Sequence, residues 1–367
     1  MNDQVKVRVS RRRFLGASAA ATALCSAPRI ASAQQKALNL LAWIGYQETD
    51  IVRPFEEQYG VRLNVKTYVG GDQMFSLLMA SKGIYDVVLM DPEYVQKLRP
   101  VGRLRELNLA DYDVSHYLPP FRQYPPVWND NKMYGLMVRY GFNGLVYNTS
   151  KISEEAASSY KTAWDPALKG RVGIWDWYLP SMGVISRYLG YKDPYALTEA
   201  QFSKLVETLF SLKPNVGAVF SDFSTMLASL ASEQIWIVVS GGDWVGAALK
   251  FQGHPIAWSI PKEGGIIWSE CLTIPTDSRN PDLAKQYIQY MATGKAQSLL
   301  TWRQANTSQV PNTDAWRFMT DKQKAALQIT NEQDALGLLS RASVRQLPAS
   351  PPEERWQEAW QQFKGRA

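Results

Sequence analysis

Histidine and cysteine are almost missing from this chain. Its 367 residues hold two of each: His116, His254, Cys25 and Cys271. Two histidines so far apart in sequence lack metal-ligand spacing, so no metal site is expected. There is no Gly-x-Gly-x-x-Gly, no Gly-x-Ser-x-Gly, no Cys/His cluster and no Ser/His/Asp arrangement. The usual signatures of dinucleotide binding and nucleophilic catalysis are therefore lacking, and no cofactor and no catalytic residue are expected. No apolar stretch after the N-terminal region is long enough to span a bilayer. Tandem repeats are absent too.

An excess of charge is also missing once the N-terminus is set aside. The run Ser10-Arg11-Arg12-Arg13-Phe14-Leu15-Gly16 leads into a short apolar segment ending near Ala27, followed by Ala31-Ser32-Ala33. A basic start, an apolar core and an Ala-x-Ala site describe a cleaved signal peptide, here residues 1–33. Twin arginines before Phe-Leu are the pattern read by the Tat export machinery, which implies a periplasmic protein. Leu24 before Cys25 is too bulky for a lipoprotein anchor. The chain carries a net +6, but six basic residues against Asp3 put +5 of it in residues 1–33. The remaining 334 residues are near +1, so neither nucleic acid nor an anionic membrane is a partner. Cys271 alone survives cleavage, so no intramolecular disulfide forms, and it reads as a buried small hydrophobe. A chain of this length suggests two domains.

What is present is alternation. Ala37–Trp43 reads as an apolar strand, and Thr49 or Asp50 can cap a helix ending near Gly60. Val61–Tyr68 alternates as a half-buried strand. Gly70-Gly71-Asp72 opens a helix to about Lys82, Tyr85–Met90 is a short buried strand, and Pro92 starts another helix. The pattern resumes with a strand at Arg171–Asp176, helices at Ser181–Leu189 and Thr198–Leu212, and a strand at Ile235–Ser240. Helices return over Pro281–Arg303 and Glu353–Lys364, with Trp356 and Trp360 four apart as core. Strands and helices joined by short loops give an α/β fold with mostly parallel sheets flanked by helices.

Aromatic residues make up 12% of the chain. In Pro261-Lys-Glu-Gly-Gly-Ile-Ile-Trp-Ser-Glu270, Trp268 and Glu270 are two apart, so on a strand they project to the same face. An indole face beside a carboxylate is a seat for an organic cation; the plain alternative is a core Trp beside a solvated Glu. Ligands of open α/β sheets sit at the carboxyl ends of strands. Those ends carry Trp43 and Tyr46, then Asp91 and Glu93, then Trp175-Asp176-Trp177, then Asp243-Trp244. Asp243 is either a helix cap or an amine contact. Arg139 either pairs with a surface acid or binds an anionic group of the ligand. Ser181–Gly183, placed at a helix start, adds backbone N–H donors for such an anion.

These residues carry a resemblance. From Leu38 to Phe363 the chain resembles the periplasmic spermidine/putrescine-binding proteins of ABC importers. Trp43 and Tyr46 stand at the family spacing, and Pro261-Lys-Glu-Gly-Gly-Ile-Ile-Trp268 follows its motif. Tyr85-Asp86, Leu189-Gly190-Tyr191, Lys213-Pro-Asn-Val216 and Pro311-Asn312 also fit. The resemblance implies a two-lobed periplasmic binding protein with a two-segment hinge. It implies one lobe of residues 37–141 and 272–316 and another of 142–271 and 317–367. It also implies a monomer that closes on an amine and meets ABC permease subunits. The implied ligand site takes in Trp43, Tyr46, Asp91, Glu93, Arg139, Trp177, Asp243, Trp268 and Glu270, with Glu270, Asp91 and Glu93 holding ammonium groups.

The chain departs from the family in several places. Glu270 replaces an Asp, and Asp91 and Glu93 replace a Ser and an aromatic. Trp177 and Pro180 replace an acidic pair, Ser308 replaces a Tyr, and Trp244 lies near where a Trp at 240 or 241 is expected. The reading is a polyamine or a related amine as ligand, with a zwitterionic, amino-acid-derived or opine-like molecule as the alternative and an exported enzyme as a more distant one.

Overall fold

A computed structural model describes residues 36–302 and 307–365. The leader expected over residues 1–33, with Cys25, lies outside them. From Ala37 onward the chain forms one compact unit.

Near-alternating burial makes β1 (Ala37–Trp43) a strand, followed by α1 (Thr49–Tyr59). Gly60 ends α1 at a φ of 63°, a left-handed cap that glycine adopts without Cβ strain. At its start the expected cap is corrected: Thr49 and Asp50 are already helical, and the N-cap Glu48 makes no side-chain capping bond. Then come β2 (Arg62–Tyr68), α2 (Gly71–Ala80), β3 (Val87–Met90) and α3 (Pro92–Leu98). Pro92 sits in the first turn of α3, where its missing N–H leaves no helix bond unmade. A short α4 (Pro119–Arg122) and the β4–β5 hairpin (Trp128–Asn129, Lys132–Met133) lead to β6 (Leu136–Asn148), thirteen residues buried throughout.

The second stretch runs β7 (Val172–Trp175), α5 (Tyr178–Tyr188), α6 (Glu199–Ser211), β8 (Val216–Phe220), α7 (Phe223–Ala231), β9 (Ile237–Gly242), α8 (Asp243–Gln252) and β10 (Ile256–Ser259). Thr198 and Gln201 close a capping box on α6, and the Asp222 side chain caps α7. After β11 (Gly265–Thr273) come α9 (Pro281–Met291), α10 (Gly294–Thr301), α11 (Asp321–Ala326), α12 (Glu332–Ser340), β12 (Ala342–Val344) and α13 (Glu353–Gly365).

One mixed sheet of ten strands organises these elements, in the order β2-β1-β3-β11-β6-β9-β7-β8, with β10 on β6 and β12 on β11. Its two ends are parallel: β1 pairs with β2 and β3, and β7 with β8 and β9. Its middle is antiparallel, because β11 pairs with β3 and β6, and β6 with β9. The fully buried β6 and β11 thus join two α/β halves. One half packs Leu40, Phe55, Val87 and Tyr287 into a core, and the other packs Ile174, Leu205, Val239 and Trp356. Trp356 and Trp360 of α13 are buried in the second core, as their four-residue spacing predicts.

Candidate functional site

The carboxyl ends of two parallel strand pairs, β1 with β3 and β7 with β9, meet at the antiparallel β6–β11 ladder. Trp43 ends β1, Asp91 follows β3, Trp175 ends β7 and Trp244 follows β9. Together with Phe223, Trp177 and Pro180 they wall a cavity. Its floor is Arg139 and Asn143 of β6 with Trp268 and Glu270 of β11, and Arg345 follows β12 into the same wall. Trp268 and Glu270 do share a face of their strand, since both line the cavity.

The wall is aromatic and interlocked. Trp175 stacks on Phe223 with centroids 5.1 Å apart and planes 8° apart. Phe223 meets Trp244 edge-on at 5.7 Å, and Trp244 meets Trp268 edge-on at 5.3 Å. Trp268 lies opposite Gly141 in the β11–β6 register. A Cβ at Gly141 would fall 2.6 Å from the indole and 2.5 Å from Asp243 Oδ1, so only glycine leaves room for both.

Register also places the charges. Glu270 stands directly across from Arg139. Cross-strand neighbours on one face are within reach of each other, and Arg139 Nη1 donates to Glu270 Oε2 at 3.3 Å. Tyr46 Oη donates to the same oxygen at 2.8 Å, and Arg139 Nε donates to Ser308 Oγ at 2.8 Å. The guanidinium lies 5.4 Å from the Trp268 ring centroid and 5.8 Å from that of Tyr46. The cation between the indole and the carboxylate is therefore one of the protein's own. This corrects the expectation of a surface pair for Arg139: the arginine is 3% exposed and its partner is a buried acid. Burial works against the Arg139 charge, but Glu270 and Tyr46 hold it protonated and raise its pKa.

The other acids are paired as well. Arg345 Nε donates to Glu93 Oε1 at 2.7 Å, and its Nη2 lies 3.3 Å from Asp91 Oδ2. The same guanidinium stands 4.2 Å from the Trp177 ring centroid. Asp91 and Glu93 are thus not the free ammonium acceptors expected from sequence. Burial pushes both acids up, against the pull of Arg345. Glu93 does not line this cavity but an adjoining groove with Lys97 and Glu353.

Asp243 resolves as a helix-start residue in the first turn of α8. It accepts from the Trp244 N–H and from Trp268 Nε1, each at 3.1 Å, and so aims the indole. Burial raises its pKa to about 7, against the hydrogen bonds it accepts. The anion seat expected at Ser181–Gly183 is also corrected. Helix α5 begins at Tyr178, so the Ser181 N–H is spent on the Trp177 carbonyl and its hydroxyl bonds the Trp175 carbonyl. Cys271 is fully buried beside Met90, as expected.

Sequence reasoning missed Arg345, Asn143 and Phe223. Arg345 follows a three-residue strand that breaks the helical pattern, a weak signal at best. Asn143 lies four residues past Arg139 on a strand, so period two puts them on one face.

The match that decides the family spans residues 50–334 and is to the bacterial extracellular solute-binding proteins. The chain belongs to this family. Its relatives include the spermidine/putrescine-binding periplasmic protein of Salmonella typhimurium strain LT2, 26% identical over 285 residues, which are 76% of this chain and 78% of that one. The putrescine/cadaverine-binding protein of Pseudomonas aeruginosa PAO1 is 26% identical over 323 residues, 82% of this chain and 85% of that one. In fold, the chain is similar to the spermidine/putrescine ABC transporter substrate-binding protein PotD from Streptococcus pneumoniae. The TM-score is 0.73 at 17% identity, over 90% of this chain and 99% of that one. As an extracellular solute-binding protein with the two-lobed fold, the chain is a transport component, and its cavity lies at the strands that join the two halves.

Proposed function

We propose that this protein is the periplasmic solute-binding subunit of an ABC importer, capturing a small amine-bearing molecule between its lobes. The observation that carries this reading is the cavity itself. Five indoles and Phe223 line it together with two buried acid–guanidinium pairs, Glu270 with Arg139 and Asp91 with Arg345, an environment that holds alkyl chains and charged groups together. The polyamine-binding names of its relatives support the same ligand class. The lobes are residues 37–141 with 272–316 and residues 142–271 with 317–367, supported by the separate cores on either side of β6 and β11. Closure about those strands would bury the ligand and present both lobes to permease subunits. Export through the Tat machinery and cleavage near Ala33, supported by the twin-arginine motif, complete the reading, with a monomeric state.

The test is a thermal-shift panel on protein starting at Gln34, with polyamines, amino acids and quaternary amines. A ligand at a hundredfold excess over Kd stabilises by about 2.7 kcal/mol. A shift with an amine is the expected result. No shift with any amine would defeat the proposal.

A further inference from the structure

The charges around the cavity suit a ligand that is itself charged at both signs. Two acids line it, Glu270 and Asp91, and each shares its space with a guanidinium that lines it too, Arg139 and Arg345. A diamine or triamine would bring extra ammonium groups against two fixed, buried guanidiniums. Over the Trp177 ring, which lines the cavity, stands the Arg345 guanidinium, 4.2 Å from the ring centroid.

An unmatched hydrogen-bonding atom points the same way. Asn143 Oδ1 belongs to a cavity-lining residue, is buried and accepts no hydrogen bond, whereas Asp91 Oδ2 has the Arg345 guanidinium 3.3 Å away. Asn143 is 1% exposed, so bulk water does not satisfy its oxygen. Buried acceptors left so are costly unless a donor arrives, and an ammonium group is a compact triple donor. A guanidinium, in turn, offers the fork that suits a carboxylate.

We infer that the ligand is a zwitterion, an amine that also carries a carboxylate, with the carboxylate seated on Arg345 and the ammonium on the Asn143 and Asp91 oxygens beside the indoles. This rests on the reading that the cavity holds an amine-bearing solute, and it narrows that class. Glu93, buried behind Arg345, fixes the guanidinium through its 2.7 Å bond and is a positioning residue.

Matched pairs test it by calorimetric titration of the full mature protein. Each pair differs by a carboxylate: putrescine with ornithine, cadaverine with lysine, and agmatine with arginine. N-carboxyalkyl amino acids are titrated alongside. The expected result is that the tightest ligand carries a carboxylate and binds at least tenfold more tightly than its decarboxylated partner. Arg345→Gln should shift that ratio at least tenfold toward the diamine, because it removes the carboxylate seat and frees Asp91 and Glu93. Arg345→Lys keeps the charge and should keep the preference; it serves if the glutamine variant fails to fold. Diamines binding more tightly than every zwitterion, or a ratio unmoved by Arg345→Gln in folded protein, would overturn the inference and leave the amine-binding reading intact. No binding by any amine overturns both.

Discussion

Arg139 and Glu270 face each other across the two central strands, so removing either leaves the other as a buried charge without its partner. Breaking such a pair costs about 3–5 kcal/mol, whereas replacing both members with apolar residues of similar volume is often nearly neutral. Arg139→Met should therefore lower unfolding free energy by about that amount in urea titrations, and Arg139→Met with Glu270→Met should recover most of it. A single variant as stable as the wild type would show that the pair contributes nothing. Asp243 gives a pH signature. Its carboxyl titrates at about 7 in the folded protein, raised by burial, against roughly 3.9 unfolded. Between those values the unfolded chain has released the proton and the folded chain keeps it, so stability falls as pH rises and levels off above the folded value. Asp243→Asn removes this term. Its Tm relative to wild type should climb from pH 5 to pH 7 and then hold, and a Tm difference that is constant over that range would contradict the assignment. The residue types of this site were legible in sequence, down to Trp268 and Glu270 on one face. Their partners were not, because Arg139 meets Glu270 through strand register and Arg345 meets Glu93 across 252 residues of chain.

The elements that matter most are β6 and β11, which carry the floor of the cavity and join the two halves. Their close contact depends on Gly141, whose missing side chain admits Trp268 and Asp243. Gly141→Ala forces a methyl into that space, and overpacking of this kind costs typically ~1–3 kcal/mol. The expected result is a lower Tm together with a changed tryptophan emission spectrum and weaker ligand binding. Unchanged emission and affinity would mean the indole has another way to sit. Periodicity located β1, β2, β3, β7, β9, α5 and α6 in the sequence, since apolar runs and capping residues act locally, but it did not read β6 as a strand. It misjudged the starts of α1 and α5, where the chain enters the helix one to three residues earlier than side-chain capping suggests.

At the scale of the molecule, two cores flank β6 and β11, and a third buried cluster that includes Tyr68, Met90, Phe142, Phe220 and Trp258 runs between the halves. Closure is expected to appear as a fall in radius of gyration by small-angle scattering when the mature protein is saturated with its ligand. Identical scattering with and without a ligand that binds would remove domain closure from the mechanism. By itself the sequence determined the α/β class, the near-neutral charge beyond residue 33 and the aromatic, acid-bearing character of the strand ends, because these follow from local pattern and composition. Tertiary structure alone decided whether those acids stand free. Pairing across strands and between distant segments gave Glu270 to Arg139, and Asp91 with Glu93 to Arg345. The ammonium seat first read at Trp268 and Glu270 is filled from within, because a buried carboxylate is stable only with a partner and the fold supplies one.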